Sequence, residues 1–274
     1  MTVNLKEVNR LRRTVPRVLW KYCGTSALPM LINMQIKVTR PNEFNDPFEF
    51  TPAFYGTLTT ADLERFYTDP EWVAHWQPPP LPPDEDDRRR MLEEGAAMLS
   101  NTGFEIAQEE LDRISSKYGV LCLTADPGNI VMWSHYAQNH RGFAVGIDRG
   151  WLTAAKFFPV DYSTRRVAFN ATTPLKMHPN VRAFDIFRRK SIVWAYEKEY
   201  RTIWSFSELF HGMIGTTEAY FLPLIPEAIA EVRLGYRCSS ESEEEIRKVL
   251  TAHHCVAPVK RATLQRHAYR LSFG

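Results

Sequence analysis

Only four cysteines occur in 274 residues, and none of Cys23, Cys122, Cys238 and Cys255 forms a CxxC pair. That excludes a dense disulfide scaffold and a close-spaced zinc knuckle, and it predicts reduced, buried thiols. The segment MTVNLKEVNRLRRTV lacks the apolar core of a secretion signal, and no apolar run nears the roughly 18 residues of a membrane span. The expectation is a cytoplasmic protein with no membrane partner. Net charge is also scarce: 34 Lys and Arg stand against 32 Asp and Glu, which excludes nucleic-acid binding by bulk charge but leaves room for a local basic patch. Absent too are GxGxxG after a strand, GxxxxGK(S/T), HExxH and GxSxG, which weakens dinucleotide-fold, P-loop, zincin and α/β-hydrolase readings. His135 and His140 stand five apart rather than four, and the adjacent His253, His254 and Cys255 rarely share one geometry, so no metal is expected.

What is present is a hydrophobic content of 44%, enough to bury a large core in one domain over residues 1–274. RVLWKYC alternates as a strand, GVLCLTA reads as a buried one, and FAVGID, YEKEYRTIW and IAEVRLGYRC follow suit. TSALPMLINMQIKVT predicts a short helix feeding a strand near Ile36. Residues 60–118 have helical periodicity interrupted by QPPPLPPDEDD, which predicts a helical, proline-containing insertion, either a cover or a plain helical layer. A helix over 129–139, closed by Gly142, and a helix capped by Ser240 with Glu243 complete the list. The sum is an α+β fold: a mixed, largely antiparallel sheet, whole or split, with flanking helices.

Three segments carry chemistry. In MWSHYAQNHRG, helical spacing would put Trp133, Tyr136 and His140 on one stripe and His135 on another. Such a stripe either packs the helix on the sheet or offers polar tips to a ligand. In WAYEKEYRTIW, a strand would aim Glu197, Glu199 and Arg201 to one face, as a solvated edge or as the polar floor of a cleft. In PNEFNDPFEF, Asn45 and Asp46 fix a turn anchored by Phe44 and Phe48, a structural reading before a functional one.

Taken in order, Leu19-Trp20-Lys21-Tyr22, Phe44-Asn45-Asp46-Pro47-Phe48, Met132-Trp133-Ser134-His135-Tyr136 with His140-Arg141-Gly142, Trp194 with Tyr196-Glu197-Lys198-Glu199-Tyr200-Arg201, and Glu231-Val232-Arg233-Leu234-Gly235 resemble a bacterial family, domain of unknown function 2971. Leu123 and Thr124 stand where that family often has Phe and Ser, and the proline-containing insertion is a further departure. The family name confers no activity. The order of parts also resembles, distantly, the ADP-ribosyltransferases. That resemblance implies NAD as co-substrate, Glu199 as catalytic carboxylate with Glu197 its helper, Lys21 or Tyr22 near the cofactor, and Tyr136 or Trp133 stacking on it. Asn45, Asp46 and Arg201 complete the ligand set.

Three functions follow as expectations. The first is an NAD-consuming transferase or glycohydrolase, a toxin or phage-defence effector, with a nucleotide as ligand and a protein or nucleic acid as acceptor. The second is a non-catalytic protein- or nucleotide-binding module. The third is a metal-independent nuclease or phosphate-handling hydrolase using His140 with Arg141 or Arg201, since guanidinium forks suit phosphate oxygens.

Overall fold

A computed structural model describes residues 15–55, 57–152, 156–170 and 182–274. The chain forms two compact units: Met1–Phe44, Lys117–Tyr162 and Ile192–Gly274 make the first, and Asn45–Ser116 with Ser163–Ser191 the second. Among the described residues no helix is long and apolar enough to cross a membrane.

The first unit is built on an eight-stranded sheet. Its strands are β1 (Val18–Cys23), β2 (Tyr118–Thr124), β3 (Phe143–Asp148), β4 (Phe158–Pro159), β5 (Glu199–Ser205), β6 (Ile229–Leu234), β7 (Val259–Leu264) and β8 (Leu271–Phe273). Their order across the sheet is β8-β7-β6-β3-β1-β2-β5-β4. Pairing is antiparallel except between β6 and β7, which run parallel because the helix Ser240–Ala252 carries the chain across between them. The fold is thus α+β with a mixed, mostly antiparallel sheet.

Alternation divides the sheet residues between two apolar layers. Leu19 and Cys23 of β1, Leu121 and Leu123 of β2, Val145 and Ile147 of β3, and Val232 and Leu234 of β6 face one core, covered by Ile246 and Leu250 of the last helix. On the opposite face, Trp20, Tyr22 and Ala144 pack with Met132, Trp133 and Ala137 from a short helix after β2. Arg233 is clamped on this second side between the rings of Trp20 (4.4 Å) and Phe273 (4.2 Å). It also meets Glu231 at 2.5 Å, so its charge is held by two aromatic faces and a carboxylate.

One cap shifts by a residue from the sequence expectation. Ser239, not Ser240, caps the last helix, its hydroxyl accepting from Ser242 N at 3.1 Å. The SSESEE run offers two adjacent serines with acids downstream, so composition alone does not choose between them.

The second unit holds the helices Thr60–Tyr67 and Glu85–Ser115. Thr59 and Asp62 form a reciprocal capping box on the first, and Asp84 caps the second through Asp86 N and Asp87 N. Arg88 reaches back to the carbonyls of Pro82 (3.0 Å) and Pro83 (2.7 Å), which ties the proline-rich stretch to the helix it precedes. Leu58, Leu63, Phe66, Trp72, Leu92 and Ala96 form the small core between these helices. A parallel pair of strands, Ala53–Tyr55 and Ala168–Asn170, joins the unit's two chain segments.

Candidate functional site

Helix α1 (Ile130–Tyr136) follows β2 through the turn at Asp126–Gly128. Asn129 starts it: Oδ1 accepts from Val131 N (2.9 Å) and Met132 N (3.2 Å). The helix is shorter than the expected 129–139. Gln138, Asn139 and His140 all adopt positive φ (50°, 53° and 67°), so the chain turns left-handed immediately after Tyr136 and Ala137. Non-glycine residues take that conformation only when the surroundings impose it. Here Asn139 N bonds to Ser134 O, His140 N to Trp133 O and Gly142 N to Ala137 O, which together close the helix end.

The expected helical stripe is therefore corrected: His140 is not a helical residue at i+7 from Trp133. It returns to Trp133 by the left-handed turn, with ring centroids 6.3 Å apart and planes 13° from parallel. Ser134 spends its hydroxyl proton on Ile130 O (3.0 Å), so its contact with His140 Nε2 at 3.2 Å makes that nitrogen the donor. Nδ1 is then a buried acceptor with no hydrogen-bond partner among the described residues. The histidines do not act as a pair, because His135 Nδ1 instead meets the Tyr196 hydroxyl at 3.0 Å.

Burial, assisted by the nearby Arg237 charge, lowers the His140 pKa below the ordinary value of 6.5. The unfolded chain therefore takes up a proton at this position before the native state does. Stability contributed by neutral His140 is intact above that unfolded value and falls as pH drops from it towards the lower native one. Thermal melts should thus show a steeper loss of Tm below about pH 6.5 in the wild type than in His140→Gln. Superimposable slopes would show that this ring does not carry the effect.

The strand expected over 194–204 is corrected as well. Ile192–Glu197 is a 3-10 segment, Lys198 has a positive φ of 46°, and β5 begins only at Glu199. Glu197 and Glu199 consequently do not share a strand face and have different partners. Glu197 is 3% exposed, and Tyr136 Oη donates to its Oε1 at 2.6 Å. The backbone of the same segment is held from β2 and α1, since Thr124 Oγ1 donates to Glu197 O (2.5 Å) and Asn129 Nδ2 to Tyr196 O (2.9 Å).

Glu199 is instead gripped by Arg201 two residues on. Nε meets Oε1 at 2.9 Å and Nη2 meets Oε2 at 2.8 Å, a bidentate pair with Arg201 at 0% exposure. The guanidinium also lies 5.2 Å from the Phe44 ring centre. Cys122 sits opposite Arg201 in the β2–β5 register. Burial first, then the Glu199 carboxylate, pushes its thiol well above the ordinary range, so it is a protonated packing group rather than a nucleophile.

Tyr22 packs edge-on against Trp133, centroids 5.1 Å apart, and donates to Asp126 O at 2.9 Å. Burial raises its pKa, which keeps the phenol neutral. Strand alternation puts Lys21 on the other sheet face, where its ammonium approaches Cys122 O at 3.4 Å. Trp133 is fully buried, its indole N–H spent on Pro127 O (3.0 Å). Asn45 and Asp46 belong to the second unit, where Asp46 Oδ1 accepts from Phe48 N at 2.9 Å and fixes the expected turn, but Phe48 is 60% exposed and does not anchor it in the core.

What the first unit brings together is therefore Tyr136 and Glu197, with His135, Trp194 and Tyr196 beside them. The His135 ring centroid lies 6.1 Å from those of both Tyr136 and Tyr196 and 6.3 Å from that of Trp194, and the Trp194 and Tyr196 centroids are 6.1 Å apart. His135, Trp194 and Tyr196 were not among the candidate site residues of the sequence. The available signal was Trp194-x-Tyr196-Glu197, in which the two rings immediately precede the buried acid. Among the described residues no group of three or more His, Cys, Asp or Glu is arranged to hold a metal ion.

Fold and geometry thus define the first unit as a mixed-sheet α+β module with an aromatic cluster around a buried carboxylate. The family model for the protein of unknown function DUF2971 matches residues 132–202, a stretch that runs from α1 into β5. No curated protein and no solved structure matches the chain.

Proposed function

We propose that the cluster around Tyr136 and Glu197 binds NAD and that the chain is an NAD-utilising transferase or glycohydrolase. The observation that carries this reading is the 2.6 Å bond from Tyr136 Oη to Glu197 Oε1, which joins the two motif segments through a carboxylate held at 3% exposure. A low-dielectric carboxylate of fixed orientation stabilises positive charge developing on a ribose as nicotinamide departs. The rings of His135, Trp194 and Tyr196 offer flat surfaces to a nicotinamide or adenine. In this reading Glu197 takes the electrostatic role, and Glu199, neutralised by Arg201, holds the strand that positions it.

The bidentate Glu199–Arg201 pair favours a second reading, a nucleotide-binding module without turnover, because it removes one of the two carboxylates from chemistry. One experiment separates the two. The protein is incubated with NAD, nicotinamide release is followed by chromatography, and Tm is measured with and without NAD. Turnover is expected, with Glu197→Gln slowing it by about 100-fold or more and Tyr136→Phe by less. A rise in Tm without release would support the binding module. If nicotinamide is not released and Tm does not rise, NAD is ruled out as the ligand.

A further inference from the structure

We infer that the second unit carries a separate anion site suited to a small phosphomonoester. Its cavity of about 220 Å³ is walled by residues near Phe48–Pro52, Ser163–Val167 and Ile186–Ser191. Among the described residues, four cations line it, Arg165, Arg166, Arg189 and Lys190, and no carboxylate does. Lys190 and Arg189 are already engaged, and neither is counted as free charge for the site. Lys190 Nζ lies 3.2 Å from Glu49 Oε2, and both side chains are buried.

Arg166 differs in kind. Its Nε and Nη2 donate to Thr51 O (3.0 and 2.5 Å), and Nη2 also to Pro52 O (3.3 Å), while the guanidinium lies 5.4 Å from the Phe48 ring centre. Carbonyls and a ring orient a guanidinium without neutralising it, so Arg166 is a fixed positive charge in the wall. Arg165 is exposed, and the turn that bears it is set by Ser163 Oγ accepting from Arg165 N at 3.0 Å.

The rest of the lining supplies the two other features such a ligand needs. Ser163, Thr164 and Ser191 bring hydroxyls, whose donors together with guanidinium N–H groups match the three terminal oxygens of a phosphomonoester better than the two of a carboxylate. Phe50 and Ile186 bring buried apolar surface for the group that bears the phosphate. The volume falls below the ~300–1,000 Å³ of drug-sized ligand pockets, which fits a single phosphoryl group on a single ring.

The test titrates the full chain by calorimetry at fixed ionic strength with phenyl phosphate, benzoate, inorganic phosphate and a single-stranded oligonucleotide. Phenyl phosphate is expected to bind at one site and more tightly than benzoate or inorganic phosphate. Arg165→Ala should weaken it by about tenfold or more, and Arg165→Lys by less. Arg165 is exposed, so a far-ultraviolet spectrum unchanged from the wild type is expected for both variants. Three results would overturn the site: no heat with phenyl phosphate at millimolar concentration, equal affinity in folded Arg165→Ala, or tighter binding of the oligonucleotide, which would assign the cations to a macromolecular surface.

Discussion

Replacing Arg201 by Met should destabilise the fold by about 3–5 kcal/mol, read from the urea midpoint at constant m. The reason is the carboxylate left behind. Glu199 is 6% exposed and takes a bidentate pair of charged hydrogen bonds from Arg201, which is itself completely buried. Without the guanidinium, the buried carboxylate loses its bidentate charge partner, and the packing of the cation on Phe44 is lost as well. Glu199→Gln should cost less, since an amide keeps one acceptor for the guanidinium. The double variant Glu199→Leu/Arg201→Met should recover much of the loss, because exchanging a whole buried pair for apolar groups is often neutral or stabilising. If each single change costs below about 1 kcal/mol, as exposed pairs do, the pair is not the buried clamp described here. Any fall in turnover on altering Glu199 must then be corrected for the fraction folded before it is read as catalysis.

A comparable loss is expected at two glycines that permit chain segments to touch. A Cβ on Gly142 would lie 2.0 Å from Cys23 O, and one on Gly235 would lie 2.1 Å from His140 O. In both cases the obstacle is backbone, which cannot rotate aside as a side chain can. Gly142→Ala and Gly235→Ala should each cost at least ~3 kcal/mol, the upper end of overpacking effects. Gly215→Ala provides the contrast: its φ is +60° but nothing lies within 4 Å of the added Cβ. It should cost only about 1–2 kcal/mol of backbone strain. Equal urea midpoints for Gly142→Ala and Gly215→Ala would mean that the strands part easily and that close approach is not what this glycine provides.

Gly142 also shows what could be read in the sequence and what could not. Its presence after a periodic segment signals a helix end, and a helix does end nearby, yet it is not among the positive-φ glycines. The left-handed residues are Gln138, Asn139 and His140, and the carbonyls of His140 and Gly142 that follow the turn accept from Arg237 N and Gly235 N almost a hundred positions later. No local pattern carries that information. The central strands were legible because Leu19/Trp20/Tyr22 and Phe143/Ala144/Val145 alternate between two apolar layers, so periodicity and burial agree.

The start of β5 was misread for the opposite reason: the alternation of Trp194, Tyr196 and Lys198 runs on smoothly through a 3-10 segment and a positive-φ lysine. The candidate site was legible as two motifs, and Tyr136 with Glu197 came from them. The separate duties of Glu197 and Glu199 depend on where that strand begins, which is a matter of tertiary anchoring by Thr124 and Asn129. The union of residues 45–116 with 163–191 in one unit is likewise non-local, and no periodicity within either segment reports it.

Asn129 has a consequence of its own. One end of its amide receives the first turn of α1, and the other grips the carbonyl of Tyr196. The donor and the acceptor of the Tyr136–Glu197 bond therefore share Asn129 as an anchor, with Thr124 a second hold on the Glu197 carbonyl. The start of the helix that carries Tyr136 and the segment that carries Glu197 are thus braced by one side chain rather than meeting as two independent loops.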